Sequence, residues 1–206
     1  MIRECPQCGR PVLHCSSNEI DGDMYLYPIF DCLCKIDYKK YGEKIKKDYT
    51  KCRMDQFFIN NDFKVHNKEL KKYYDNLEWV EEGISLLIFG NPGTQKTGQI
   101  TAIMKKVYIR YSSLYYRTTE LPYQRNMEEI KNVVFLVLDN FGKSDFENSR
   151  GAVFDLIDYR IHNYLSTVLI TNMTGKDIAQ IYDMAFADRM KMFKKISILG
   201  ESKRGK

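Results

Sequence analysis

No run of apolar residues in this 206-residue chain approaches the roughly 18 needed to cross a bilayer. The N-terminal MIRECPQCGR lacks an apolar stretch that would serve as a secretory signal, which predicts a cytoplasmic protein. No cysteine follows position 52, and the chain has no internal repeat and no low-complexity tract. A strong charge excess is missing too: 32 basic residues face 27 acidic ones, for a net charge of +5. These absences argue against a membrane protein and a disulfide-framed secreted domain. The mild basic surplus permits contact with nucleic acid without demanding it. What is there, 44% hydrophobic and 29% charged residues, suits one globular domain of ordinary size with a small appendage.

The six cysteines stand at positions 5, 8, 15, 32, 34 and 52. A reducing cytosol disfavours disulfides. The spacing Cys5-x2-Cys8 followed by Cys32-x-Cys34 is that of a zinc ribbon, in which four thiolates close a tetrahedral structural Zn²⁺. Residues 1–35 are therefore expected to form a zinc-binding module of short strands, with a turn at Asp21-Gly22-Asp23. So short a segment cannot bury enough core alone, and the metal would supply its folding energy. Cys15 or His14 could stand in for one of the second pair, and scattered free thiols are the plain alternative. Cys52, among lysines, is expected to lie outside the site. Residues 36–56 read as a basic linker or solvated helix. The lysines there alternate with Tyr38, Tyr41 and Tyr49, which would also suit contact with phosphates.

The remaining chain, 57–206, has a different texture. Five short apolar runs recur at 84–89, 113–118, 133–138, 167–171 and 196–199. Helical periods lie between them, with Ile100, Ile103, Val107 and Tyr111 on one face and Val153, Phe154, Ile157, Ile161 and Tyr164 on another. Apolar runs without polar alternation, separated by helices, predict a five-stranded parallel sheet covered on both faces. The fold class is α/β.

The first run leads into Gly90-Asn91-Pro92-Gly93-Thr94-Gln95-Lys96-Thr97, followed by a helix. This is close to the phosphate-loop pattern GxxxxGK[ST], whose backbone amides cradle phosphates at a helix N-terminus. Lys96 would reach the β- and γ-phosphates of ATP, and Thr97 would ligate Mg²⁺. The third run ends at Asp139, where a carboxylate would support the Mg²⁺ shell. The fourth ends in Thr171-Asn172, where a polar side chain could sense the γ-phosphate. As an isolated residue, Asp139 would read only as a strand-end turn.

The order of these motifs resembles the AAA+ ATPases of the DnaC/DnaI helicase-loader group and the related IstB transposition helpers. The resemblance rests on GNPGTQKT, VVFLVLDNFG, AVFDLIDYRIHNYLSTVLITNM, FADRM, GESKR and, before them, FFINNDF. It implies a P-loop AAA+ core without a C-terminal helical lid. It implies that Asn172 is the first sensor, that Arg189 is an arginine finger for a neighbouring subunit's nucleotide, and that Arg204 is a second sensor. It also matches Tyr159-Arg160, without giving them a role. The cysteine-bearing N-terminal module fits loaders better than IstB helpers.

Three departures from the family pattern bear on chemistry. Gln95 replaces the second glycine of the phosphate loop and threatens binding. Asn140, beside Asp139, replaces the acid that often polarises water; loss of a general base costs about 10²–10⁴-fold in rate. Few residues separate Thr97 from Asp139, so a helix common in the family has little room. The resulting expectation is a helicase loader that uses ATP and Mg²⁺ as a conformational switch, with slow or absent hydrolysis. Its partners would be a replicative ring helicase, single-stranded DNA in weak or transient contact, and further copies of itself on nucleotide or DNA. The alternatives are a nucleotide-free adaptor or decoy and an IstB-like transposition helper. A small-molecule kinase fits least, since no arginine-rich lid is present.

Overall fold

The computed structural model describes residues 12–20, 23–30, 50–108, 110–142, 150–181, 184–200 and 202. Strands β1 (Val12–Ile20) and β2 (Asp23–Phe30) form an antiparallel hairpin in which Ile20 pairs with Asp23, flanking the expected turn. Cys5, Cys8, Cys32 and Cys34 all lie outside the described residues, and so does most of the basic linker.

The core is a five-stranded sheet with all neighbours parallel. Its strands are β3 (Leu86–Phe89), β4 (Ser113–Arg117), β5 (Phe135–Asp139), β6 (Ser166–Thr171) and β7 (Lys194–Ser197), in the order β4-β5-β6-β3-β7. Each predicted apolar run therefore contributes a strand, with shifted ends. Alternate residues face opposite layers. Leu86, Ile88, Tyr115, Phe135, Val137, Val168 and Ile170 bury one cluster, and Leu87, Leu114, Leu136, Leu138 and Leu169 belong to the other.

Helices α1 (Gln56–Asn60), α2 (Lys68–Asp75), α3 (Glu78–Glu81) and α4 (Lys96–Val107) supply the first layer. In α4 the buried stripe is Ile100, Ile103, Met104 and Val107, at the i, i+3, i+4, i+7 positions of one helical face. Asn67 starts α2 by accepting the backbone N–H groups of Glu69 and Leu70, a cap that contributes about 1 kcal/mol. Cys52 and Met54, within the stretch read as linker, are buried in this same cluster.

The second layer contains α5 (Met127–Asn132), α6 (Arg150–His162), α7 (Gly175–Ile181) and α8 (Met184–Arg189). Helix α5, with a 3-10 turn at Thr118–Tyr123, occupies the short stretch between β4 and β5. The inward stripe of α6 is Val153, Leu156, Ile157 and Arg160; Tyr164, expected on that face, is exposed beyond the helix end.

Arg160 is fully buried, and its guanidinium ties three elements together. Nε donates to Thr167 Oγ1 at 2.8 Å, Nη2 to the Ser166 carbonyl at 2.8 Å, and Nη1 to the carbonyls of Ile130, Lys131 and Val133 at 2.7–3.1 Å. Burial pushes its pKa down to about 9, so it remains a cation at neutral pH, solvated by carbonyl dipoles. The position that sequence left without a role is a fastener between α6, β6 and the α5–β5 turn.

Candidate nucleotide site

In a parallel sheet, ligands bind at the carboxyl ends of the strands. Here a cavity of about 480 Å³ opens at that edge, within the range of small-ligand pockets. One wall is the phosphate loop. Gln95 sits just before α4 with φ +61°, in the left-handed region that an L side chain enters at a cost of about 1–2 kcal/mol. The usual glycine there has a backbone reason, and Gln95 meets the same geometry with strain. No acidic residue lies within the first turn of α4 itself; the carboxylate that meets this end of the helix is that of Asp139, on Thr97.

Lys96 is buried, and its ammonium donates to the carbonyls of Gly90 (2.8 Å) and Asn91 (2.7 Å) and to Asn172 Oδ1 (2.7 Å). Thr97 Oγ1 donates to Asp139 Oδ2 at 3.0 Å. Asp139 also accepts from the Tyr115 hydroxyl at Oδ2 (2.8 Å) and from the Asn140 backbone N–H at Oδ1 (2.7 Å). Burial, and then the neighbouring Asp139, push the Tyr115 hydroxyl far above the usual tyrosine range, so it stays protonated and donates.

A hydroxyl and a carboxylate this close on a cavity wall fit Mg²⁺, which takes one or two protein oxygens and completes its shell with phosphates and water. Among the described residues no group of three or more His, Cys, Asp and Glu could hold a metal by itself.

Another part of the lining is aromatic. Phe57, Phe58 and Phe63 pack with ring centroids 5.3–5.9 Å apart, and Phe57 is 63% exposed. Helix α4 fastens this segment from below. Lys105 Nζ donates to the carbonyls of Ile59 and Asn61, and Gln99 Oε1 accepts the backbone N–H groups of His66 and Asn67. Gly98 lets the Phe63 ring lie on the helix, since a Cβ there would come within 2.5 Å of it.

The segment after β7 crosses the phosphate loop. A side chain at Gly90 would collide with the Ile198 carbonyl, and one at Gly93 (φ +81°) with the Ser202 side chain. Ile198 N–H also donates to the Phe89 carbonyl at 2.8 Å.

Lys96, Thr97, Asp139 and Asn172 thus converge with Pro92, Gly93 and Gln95 on one cavity, while Thr94 is buried behind the loop. Arg189 does not join them. Its Nε pairs with Asp158 of α6, its Nη1 donates to the Ala185 carbonyl at 3.2 Å, and its guanidinium stacks on Phe154 at 4.9 Å. Arg204 lies outside the described residues. Sequence reasoning missed Tyr115, which looks like any core tyrosine of a strand. It also left the contact of Ser202 unread.

The described core superposes on the DnaC helicase loader with a TM-score of 0.60 at 22% identity, covering 70% of this chain and 99% of that one. The core has the AAA+ fold of the DnaC/DnaI-type helicase loaders. DnaI gives a TM-score of 0.59 at 19% identity, with 70% of this chain and 94% of DnaI covered. A primosome component from Streptococcus pyogenes serotype M3 gives 0.58 at 18%, with coverages of 73% and 92%. At these identities the likeness is one of fold. No protein-family model and no curated protein matches the sequence. No helix of this loader fold, among the described residues, is long and apolar enough to cross a membrane.

Proposed function

We propose that this chain is a helicase-loader-like AAA+ protein that binds ATP with Mg²⁺ as a conformational switch. The observation that carries the reading is the convergence of Lys96, Thr97, Asp139 and Asn172 on one cavity whose lining is also aromatic. Lys96 and the loop amides would hold the phosphates, Thr97 and Asp139 the Mg²⁺, and the Phe57–Phe58–Phe63 cluster the base. Asn172 would sense the γ-phosphate. Arg189 would leave Asp158 to reach a neighbouring subunit's nucleotide, and Arg204 would act as a second sensor. Hydrolysis is slow or absent because Asn140, a neutral amide, stands where a general base is needed.

Loading a ring helicase onto single-stranded DNA needs a nucleotide-dependent change of shape more than rapid turnover. A zinc module at residues 1–35 would grip the helicase. Metal analysis should then find one Zn²⁺ per chain, lost in Cys8→Ser; a metal-free wild type sinks that part.

Titration with a fluorescent ATP analogue tests the switch. Wild type should bind saturably with Mg²⁺, Lys96→Ala about ten- to a hundredfold more weakly, and the ring helicase of the same cell should co-sediment only with the ATP-loaded form. Gln95 in a left-handed conformation favours a second reading, a nucleotide-free adaptor. Helicase capture by a wild type that binds no nucleotide would establish it.

A further inference from the structure

Tyr115 is the third residue of β4, buried beside β5. Its hydroxyl donates to Asp139 Oδ2 at 2.8 Å, and the same oxygen accepts Thr97 Oγ1 at 3.0 Å. The other oxygen, Oδ1, accepts the Asn140 N–H, and the Asp139 carbonyl accepts the Thr118 hydroxyl at 2.7 Å. The carboxylate is therefore held at both oxygens by groups from different elements, and its main chain is pinned as well.

We propose that Tyr115 is a positioning residue for Mg²⁺: its hydroxyl fixes the plane of the Asp139 carboxylate so that the carboxylate and Thr97 meet the cation together. The role rests on the nucleotide-switch reading above. Without Tyr115, Oδ2 would rest on the Thr97 hydroxyl alone, a freely turning group that must also offer its oxygen to the cation. A second donor on Oδ2 removes that freedom before the cation arrives, which is where preorganisation gains affinity. The donor is also neutral. A lysine or arginine at this place would hold the carboxylate as firmly but would neutralise the charge that attracts Mg²⁺. The tyrosine ring reaches the carboxylate from the side of the aromatic wall, 6.5 Å from Phe58, so no solvent-exposed tether is required.

Tyr115→Phe keeps the ring and removes only the hydroxyl. ATP-analogue affinity is measured across a Mg²⁺ titration and again in EDTA, beside thermal melting of the same samples. The Mg²⁺ midpoint should rise about fivefold, the value of one buried hydrogen bond, while affinity in EDTA stays within about twofold. Thr97→Val should lose most of the Mg²⁺ dependence. An unchanged midpoint in Tyr115→Phe, with wild type responding to Mg²⁺, overturns the role alone. Early melting with equal loss of affinity with and without Mg²⁺ marks the hydroxyl as structural and overturns it too. A wild type with no Mg²⁺-dependent binding refutes the switch reading and this role with it.

Discussion

Lys96 and Asn172 are joined by a 2.7 Å hydrogen bond from ammonium to side-chain carboxamide, linking the phosphate loop after β3 to the end of β6. Lys96 also donates to two backbone carbonyls of its own loop, those of Gly90 and Asn91. A phosphate that claims Lys96 must therefore compete with Asn172, and the displaced carboxamide is freed beside it. Asn172→Ala should keep ATP-analogue affinity within about threefold, whereas Lys96→Ala removes charged hydrogen bonds and should lose about ten- to a hundredfold. Calorimetric titration checks this. Equal losses in both variants would mean that Asn172 helps to bind phosphate and does not merely hold the lysine.

Gln95→Gly should both stabilise the fold and open the loop. The left-handed φ of +61° suits glycine, so relief of strain should add about 1 kcal/mol, or about 2–4 °C in melting temperature for a chain of this size. Tighter ATP-analogue binding should accompany it. A lower melting temperature would show that the glutamine side chain makes compensating contacts.

Asn140→Asp should restore turnover. Asn140 already sits at φ +58°, which aspartate tolerates, and its backbone N–H would still hold Asp139. Phosphate release should rise by about 10²-fold or more if a missing base limits the rate. An unchanged rate would put the block elsewhere, in the distance between Arg189 and any neighbouring nucleotide or in Gln95.

Arg160→Met should destabilise the core without touching the site. It removes one side chain and leaves four carbonyls and a hydroxyl short of a donor. A loss of about 3–5 kcal/mol is expected, with Arg160→Lys recovering only part of it because an ammonium cannot span the same fan of acceptors. Urea denaturation reads this directly. A loss below about 1 kcal/mol would mean that water replaces the guanidinium easily.

The strands were legible because both faces of the sheet are covered, which writes each one as an unbroken apolar run. Their ends were less so. The last apolar run spans 196–199, yet β7 begins at Lys194: as an edge strand it carries lysines, and Ile198 and Leu199 belong to the crossing segment instead. The loop, Asp139 and Asn172 could be placed because a short local motif and two strand ends define them. Tyr115 reaches Asp139 across a strand pair, and nothing in SLYYR distinguishes a tyrosine that packs from one that donates to a carboxylate. Arg160 sat at an inward position of α6, but an arginine on an amphipathic helix ordinarily reads as solvent-facing. Cys52 and Met54 were hidden by the lysines around them.

The crossing of Ile198 and Ser202 over Gly90 and Gly93 also has a temporal meaning. The loop is made near the start of the core, but the residues that lean on it are synthesised only after every other strand. A ribosome-bound chain that has already produced Lys96 and Thr97 would hold an unsupported loop until β7 pairs beside β3. The close approaches at Gly90 and Gly93 and the Ile198 bond to Phe89 would then be the last contacts the loop acquires.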